Sequence, residues 1–153
     1  MTTLKTIMVV DDDPGVLRVV SGFLCRDYEV QTVASGAEAL TRLGKKPPDL
    51  ILLDIMMPGL DGFEVLLAAL RSNPKQRVVM LTGASDLDMV LMAMGLGAQG
   101  YVTKPFSAED LRNAVDHLLQ PCEGSASGGC PWHAAAADMK TRAGASFDRP
   151  SRR

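Results

Sequence analysis

Residues 50–62 read LILLDIMMPGLDG and are the most informative stretch for the architecture of this chain. The stretch opens on four consecutive apolar residues, Leu50–Leu53, which is typical of a short strand covered on both faces. Asp54 follows directly, so a carboxylate stands where the strand ends. Asp61 then precedes Glu64 by three residues, a spacing typical of the first turn of a helix. The stretch therefore predicts a buried strand, a loop and a helix in succession.

The same alternation recurs through residues 1–120. A serine followed three residues later by an acidic residue recurs at Ser35, Ser85 and Ser107, and each pair predicts a helix start. The predicted strands are, in chain order, Thr6–Val10, Glu29–Val33, Leu50–Leu53, Val78–Leu81 and Gly100–Val102. Five strands alternating with helices predict an α/β fold built on a doubly wound parallel sheet.

Composition separates residues 1–120 from residues 121–153. The first segment carries 11 basic and 15 acidic residues with regular apolar periodicity. The second carries 5 basic and 3 acidic residues among Gly, Ser and Ala, with few large apolar side chains. Because so little apolar surface cannot offset the entropy of ordering a chain, we expect residues 121–153 to form a flexible C-terminal tail.

Charge, hydropathy and cysteine content exclude several classes of protein. The net charge of −2 argues against direct nucleic-acid binding. No apolar run approaches the roughly 20 residues of a membrane span, and no signal peptide opens the chain. Three cysteines cannot form a fully paired disulfide framework, which favours a reducing compartment. We therefore expect a soluble cytoplasmic protein without membrane association.

Unusual polar residues follow the predicted strands. Because the carboxyl ends of parallel strands meet at one edge of a sheet, where ligands bind in such folds, these side chains are expected to gather there. In chain order they are Asp11, Asp12 and Asp13 after the first strand, Asp54 after the third, Thr82 after the fourth, and Thr103 and Lys104 after the fifth.

This set of side chains favours phosphoryl chemistry. Several close carboxylates repel one another unless a cation neutralises them, and oxygen ligands without Cys or His favour Mg²⁺. A metal, a lysine and a hydroxyl together can bind the oxygens of a phosphoryl group. Residues 1–120 show no Ser–His or Cys–His arrangement, so a carboxylate is the expected nucleophile and an aspartyl phosphate the expected product.

Four segments carry a resemblance to a known family. They read IMVVDDDP at 7–14, LILLDIMMPGLDG at 50–62, VMLTG at 79–83 and GYVTKPF at 100–106. In this order they resemble the receiver domain of bacterial response regulators, the phosphoryl acceptors of two-component signal transduction, and especially the single receivers of the chemotaxis type. The resemblance implies a flavodoxin-like (βα)5 fold with strand order 2-1-3-4-5 over residues 1–120.

The resemblance also implies roles for individual residues. Asp54 would be the phosphoacceptor, and it would hold Mg²⁺ together with Asp11, Asp12 and the backbone carbonyl of Met56. The remaining two site residues, Thr82 and Lys104, would bind the phosphoryl oxygens, with a cis peptide bond between Lys104 and Pro105. On phosphorylation Thr82 would move and the ring of Tyr101 would turn inward.

By the same resemblance, the phosphoryl group would come from a sensor histidine kinase or a histidine phosphotransfer protein. The chain would then be a phosphoacceptor that assists its own phosphorylation and dephosphorylation, not an enzyme with a separate substrate. Output would be docking on a downstream protein or phosphorelay, through the face of the fourth helix, fifth strand and fifth helix. That face would also serve a homodimer.

Two other functions remain open on the residues alone. In a haloacid-dehalogenase-like phosphatase, Asp11 would be the nucleophile of a strand-end Asp-x-Asp pair, but Asp54 would have no role. Alternatively, a receiver-like module could dock on partners without phosphorylation. Asp13 is interpreted as a negative charge at the start of the first helix, ahead of Pro14 at the first helical position, which leaves Asp11 and Asp12 for the metal. Asp61 is interpreted as a helix cap and not as a metal ligand.

Overall fold

The computed structural model describes residues 3–57, 59, 61–83 and 87–119. The predicted tail at 121–153 and the predicted helix cap at Ser85 lie outside this range. Strands and helices alternate as expected. In chain order they are β1 (Thr6–Val10), α1 (Pro14–Leu24), β2 (Glu29–Val33), α2 (Gly36–Lys45), β3 (Leu50–Asp54), α3 (Gly62–Ser72), β4 (Arg77–Gly83), α4 (Leu87–Leu96), β5 (Gly100–Lys104) and α5 (Ala108–Leu119).

The five strands form one parallel sheet with the order β2-β1-β3-β4-β5. Apolar residues on one face of the sheet pack with α2, α3 and α4, and those on the other face pack with α1 and α5. Successive residues of β1 alternate between these two clusters, so Met8 belongs to one and Val9 to the other. This two-sided burial explains why the central strands are apolar throughout, and it confirms the predicted doubly wound fold.

Three strands run further than their apolar residues indicated. β3 includes Asp54, which pairs with Leu81, and β4 and β5 continue to Gly83 and Lys104. The predicted ends were therefore too early, because backbone pairing continues where the side chains become polar. The extension matters for function, since it builds the polar residues into the rigid sheet.

Side chains cap four of the helices, three of them at the predicted positions Ser35, Asp61 and Ser107. Oδ1 of Asp13 accepts a hydrogen bond from the amide of Gly15 at 2.8 Å, and Oδ1 of Asp61 accepts one from the third residue beyond it. Ser35 caps α2 in the same way, and at α5 Ser107 and the residue three positions later cap each other reciprocally. Asp61 is thus confirmed as a helix cap, and Asp13, expected only as a charge at the start of α1, also caps that helix. Within the described residues, none of the helices has the length and apolar character needed to traverse a bilayer.

Candidate functional site

Three carboxylates meet at the carboxyl edge of the sheet. Because Val10 lies beside Leu53 in the register of β1 and β3, the residues that follow these two strands come together. One ligand oxygen from each of Asp11, Asp12 and Asp54 lies within 4.8 Å of the others. Asp11 and Asp54 are buried, at 0% and 6% exposure, whereas Asp12 is exposed. The cluster therefore has a buried floor and one side open to solvent.

A lysine from the edge strand β5 reaches into this cluster. The Nζ atom of Lys104 donates a hydrogen bond to Oδ2 of Asp11 at 2.8 Å and lies 3.5 Å from Oδ2 of Asp54. The peptide bond between Lys104 and Pro105 is cis. The structure thus brings together four of the residues that the sequence singled out.

Backbone amides hold the buried carboxylates in place. Oδ1 of Asp11 accepts from the amide of Asp13 at 2.9 Å, and Oδ1 of Asp54 accepts from the amide of Met56 at 3.2 Å. Each carboxylate is therefore oriented by the backbone two residues further on. The role of the Asp13 amide was not predicted, because a backbone donor carries no residue-type signal. The Asp13 carboxylate itself caps α1.

The site carries more negative charge than its one lysine neutralises. Burial, and then repulsion from Asp11, raise the pKa of Asp54 to about 6 against the partly compensating effects of Lys104 and the Met56 amide. For Lys104, burial lowers the pKa, but the hydrogen bond and attraction to Asp11, followed by attraction to Asp54, raise it overall. The lysine therefore stays charged, and the cluster of Asp11, Asp12 and Asp54 favours binding of a further cation.

The other predicted site residues lie on β4, on β5 and directly after β3. Thr82 is buried on β4, one residue beyond Leu81, the register partner of Asp54, and its hydroxyl donates to the carbonyl of Gly83 at 3.2 Å. Tyr101 is half-buried on β5 and packs against the apolar cluster under α2, α3 and α4. Met56, two residues after Asp54, is 60% exposed.

Comparison with known proteins identifies the class to which this fold and site belong. Residues 7–116 match the response regulator receiver domain family. The chain belongs to this family. The match, together with the β2-β1-β3-β4-β5 sheet, favours a receiver over a haloacid-dehalogenase-like phosphatase.

Individual relatives support the same family. A probable transcriptional regulator ycf27 of Cyanophora paradoxa is 40% identical over 120 residues, covering 78% of this chain and 50% of the relative. The sporulation initiation phosphotransferase F of Bacillus subtilis (strain 168) is 34% identical over 116 residues, covering 75% of this chain and 94% of the relative. The chain thus spans about half the length of the first transcriptional regulators it matches, but nearly all of the phosphotransferase.

Solved structures show the same fold. The receiver domain of NtrX from Brucella abortus matches with a TM-score of 0.71 and 31% identity over 74% of this chain and 97% of that chain. The BeF3-activated DrrB receiver domain matches with a TM-score of 0.72 and 34% identity, over 78% of this chain and 100% of that chain. The chain is therefore similar to receiver domains along their whole length.

Proposed function

We propose that this chain receives a phosphoryl group on Asp54 from a histidine kinase or a histidine phosphotransfer protein, with Mg²⁺ as cofactor. One observation carries the proposal: Asp54 shares a compact site with Asp11 and Asp12, and the ammonium of Lys104 lies 3.5 Å from its carboxylate. A nucleophile, a metal-binding set and a cation for the phosphoryl oxygens are thus together. The two-component family supports the proposed donors.

The donor set fits Mg²⁺. The three carboxylates offer hard oxygen ligands. A bound cation would favour the ionised form of Asp54, whose pKa is raised first by burial and then by repulsion from Asp11. Asp12 stands on the exposed side of the cluster, where water and a phosphate could complete the coordination. We assign Asp11, Asp12, Asp54 and the backbone carbonyl of Met56 to the metal, which would neutralise charge on the transferring phosphoryl oxygens.

The side chains of the protein perform the remaining steps. One carboxylate oxygen of Asp54 forms the new bond to phosphorus while the bond from phosphorus to the donor breaks, and the donor leaves with that electron pair. Lys104 attracts one oxygen of the phosphoryl group, since its ammonium already lies 3.5 Å from Oδ2 of Asp54. The hydroxyl of Thr82 donates to another oxygen after leaving the Gly83 carbonyl.

We further propose how phosphorylation produces a signal. Movement of Thr82 opens space on β4, and the half-buried ring of Tyr101 turns inward to fill it. The face formed by α4, β5 and α5 then changes shape for docking on a downstream protein, for phosphorelay or for homodimer formation. The unit that performs this switch is residues 1–120, a phosphoacceptor that assists its own phosphorylation and dephosphorylation.

Mass spectrometry after incubation with acetyl phosphate tests the proposal. Wild type should gain one phosphoryl group only with Mg²⁺, and Asp54→Asn should gain none. Asp88→Asn, which alters an exposed carboxylate on α4, should be labelled like wild type. An adduct that survives Asp54→Asn but is lost in Asp11→Asn would favour the phosphatase. No adduct from acetyl phosphate or from a phosphorylated kinase would favour docking without phosphorylation.

A further inference from the structure

Gly62, the first residue of α3, makes an unusually close approach to the strand that carries the phosphoacceptor. A Cβ atom built on Gly62 would lie 2.4 Å from the carbonyl oxygen of Asp54 and 2.8 Å from Cα of Ile55. Both are backbone atoms, which cannot rotate aside as a side chain can. The φ angle of Gly62 is outside the left-handed region, so only the lack of space excludes a larger residue.

The residue against which Gly62 packs is held from two sides. The amide of Ile55 donates to the carbonyl of Leu81 on β4 at 3.2 Å, and its own carbonyl accepts from the amide of Gly62 at 3.1 Å. Its side chain is buried in the core. If a larger residue at Gly62 displaced Ile55, one of these two backbone hydrogen bonds would therefore be broken.

Ile55 also lies between two groups that the proposed site uses. Asp54 supplies the carboxylate on one side, and Met56 on the other supplies the amide that holds Oδ1 of that carboxylate. The Met56 carbonyl, assigned above to Mg²⁺, belongs to the same short segment. A displacement of Ile55 is thus transmitted to the nucleophile and to its backbone donor together.

We propose that Gly62 is a positioning residue for the metal and phosphoryl site, in addition to being the first residue of a helix. Because Gly62 has no side chain, α3 can pack directly against the backbone of Asp54 and Ile55. The Gly62 amide also donates a hydrogen bond to the Ile55 carbonyl. Together these contacts aim the Asp54 carboxylate and the Met56 carbonyl at the same acidic cluster. The inference rests on the proposed function, because it concerns the geometry of that site.

The chain offers a matched pair of glycine variants for the test. Gly62→Ala adds the colliding Cβ, whereas Gly44→Ala adds a Cβ on α2 with nothing within 4 Å. We would strip the protein of metal, measure the Mg²⁺ dissociation constant by calorimetry, and measure the rate of labelling by acetyl phosphate. Both would be done below the thermal midpoint of each variant, where circular dichroism shows it folded.

For Gly62→Ala we expect about tenfold weaker Mg²⁺ binding, because groups that orient metal ligands have effects of this size on affinity. Labelling should be slower by about 10- to 100-fold, because misplacing reacting groups by about 1 Å costs up to about this much. Gly44→Ala should match wild type in both. If Gly62→Ala lowers only the thermal midpoint and the folded protein binds Mg²⁺ and is labelled like wild type, the residue is merely structural and the inference is wrong.

A second pair covers the case in which Gly62→Ala does not fold. Asp61→Ala removes the cap that holds the first turn of α3 around Gly62, and Ser35→Ala removes the equivalent cap from α2. Mg²⁺ affinity should fall about threefold in Asp61→Ala, because loss of a helix cap loosens the first turn of α3, and should stay unchanged in Ser35→Ala. Equal affinities in the two variants would overturn it.

The Mg²⁺ measurement separates this inference from the proposed function. If wild type binds Mg²⁺ but is never labelled, phosphorylation of Asp54 is contradicted, while the comparison of Mg²⁺ affinities still decides the role of Gly62. If wild type is labelled and the variants are unchanged, only the role of Gly62 is contradicted.

Discussion

The ammonium of Lys104 lies closer to Asp11, at 2.8 Å, than to Asp54, at 3.5 Å. The lysine therefore forms its hydrogen bond with the carboxylate beside the proposed phosphoacceptor and stays within reach of the acceptor itself. Asp11 is completely buried, so this ammonium is a principal compensation for its charge. One side chain thus compensates the charge of the buried carboxylates and lies within reach of the atom that we propose to be phosphorylated.

Lys104→Met is expected to affect both stability and labelling. Removing the ammonium leaves two close carboxylates without their counter-charge, and truncating one partner of a buried ion pair is strongly destabilising. Because the lysine side chain is 28% exposed, we expect a smaller loss, about 2 kcal/mol in the free energy of unfolding, measured with urea. Labelling by acetyl phosphate should slow by about 100-fold or more. Lys75→Met, at an exposed position, is the control, and equal behaviour of the two variants would contradict this role.

Asp54→Asn is expected to stabilise the metal-free protein at neutral pH. The pKa of Asp54 is about 6 in the folded protein against an ordinary value of 3.8, so the folded state binds the proton more tightly. The contribution of Asp54 to stability is then complete below about pH 3.8 and is lost as the pH rises through about 6. Wild type should therefore be less stable than Asp54→Asn at pH 7.5, by about 1–3 kcal/mol.

The measurement is chemical unfolding of both proteins in a chelating buffer between pH 4 and 8. The difference between them should be small near pH 4 and should grow through pH 6. Saturating Mg²⁺ should reduce or reverse it, because a bound cation favours the ionised carboxylate in wild type. A difference that stays constant over this pH range would show that ionisation of Asp54 does not oppose folding.

Much of the fold was predictable because burial leaves a direct trace in the sequence. Runs such as Leu50–Leu53 are apolar at every position since both faces of the sheet are covered, and serines or aspartates precede the helices that they cap. The strand order was implied by the resemblance to receiver domains, and apolar periodicity did not predict it. The true ends of β3, β4 and β5, at Asp54, Gly83 and Lys104, were missed, since backbone pairing continues under polar side chains.

The composition of the candidate site was likewise predictable, but its contacts were not. Parallel topology alone brings Asp11 and Asp54 to one edge of the sheet. Whether Lys104 binds one carboxylate or the other depends on side-chain geometry over fractions of an ångström. The close packing of Gly62 on Asp54 is equally invisible in a sequence, where a glycine at the start of a helix has several explanations.

A hydrogen-bond network outside the acidic cluster connects the last turn of α1, and the segment that follows it, to α5. The hydroxyl of Tyr28 donates to Oδ1 of Asp116, and Nε of Arg112 donates to the carbonyl of Phe23 at 3.1 Å. Tyr28→Phe should lower the free energy of unfolding by about 1–2 kcal/mol, because the ring stays packed while a bond to a charged group is lost. Labelling of Asp54 should be unchanged, and a slower rate would show that this network also supports the site.

Met56→Asn is expected to shorten the lifetime of the phosphorylated protein. Met56 is 60% exposed two residues after Asp54, and its thioether is no strong donor or acceptor with which to orient a water molecule. An asparagine amide would supply both, so hydrolysis of the aspartyl phosphate should accelerate by about 3- to 10-fold. The half-life would be followed by mass spectrometry after removal of acetyl phosphate. Met92→Asn is the matched control, because Met92 is 61% exposed on α4. Equal half-lives for these two variants would show that the apolar character of Met56 does not protect the phosphoryl group.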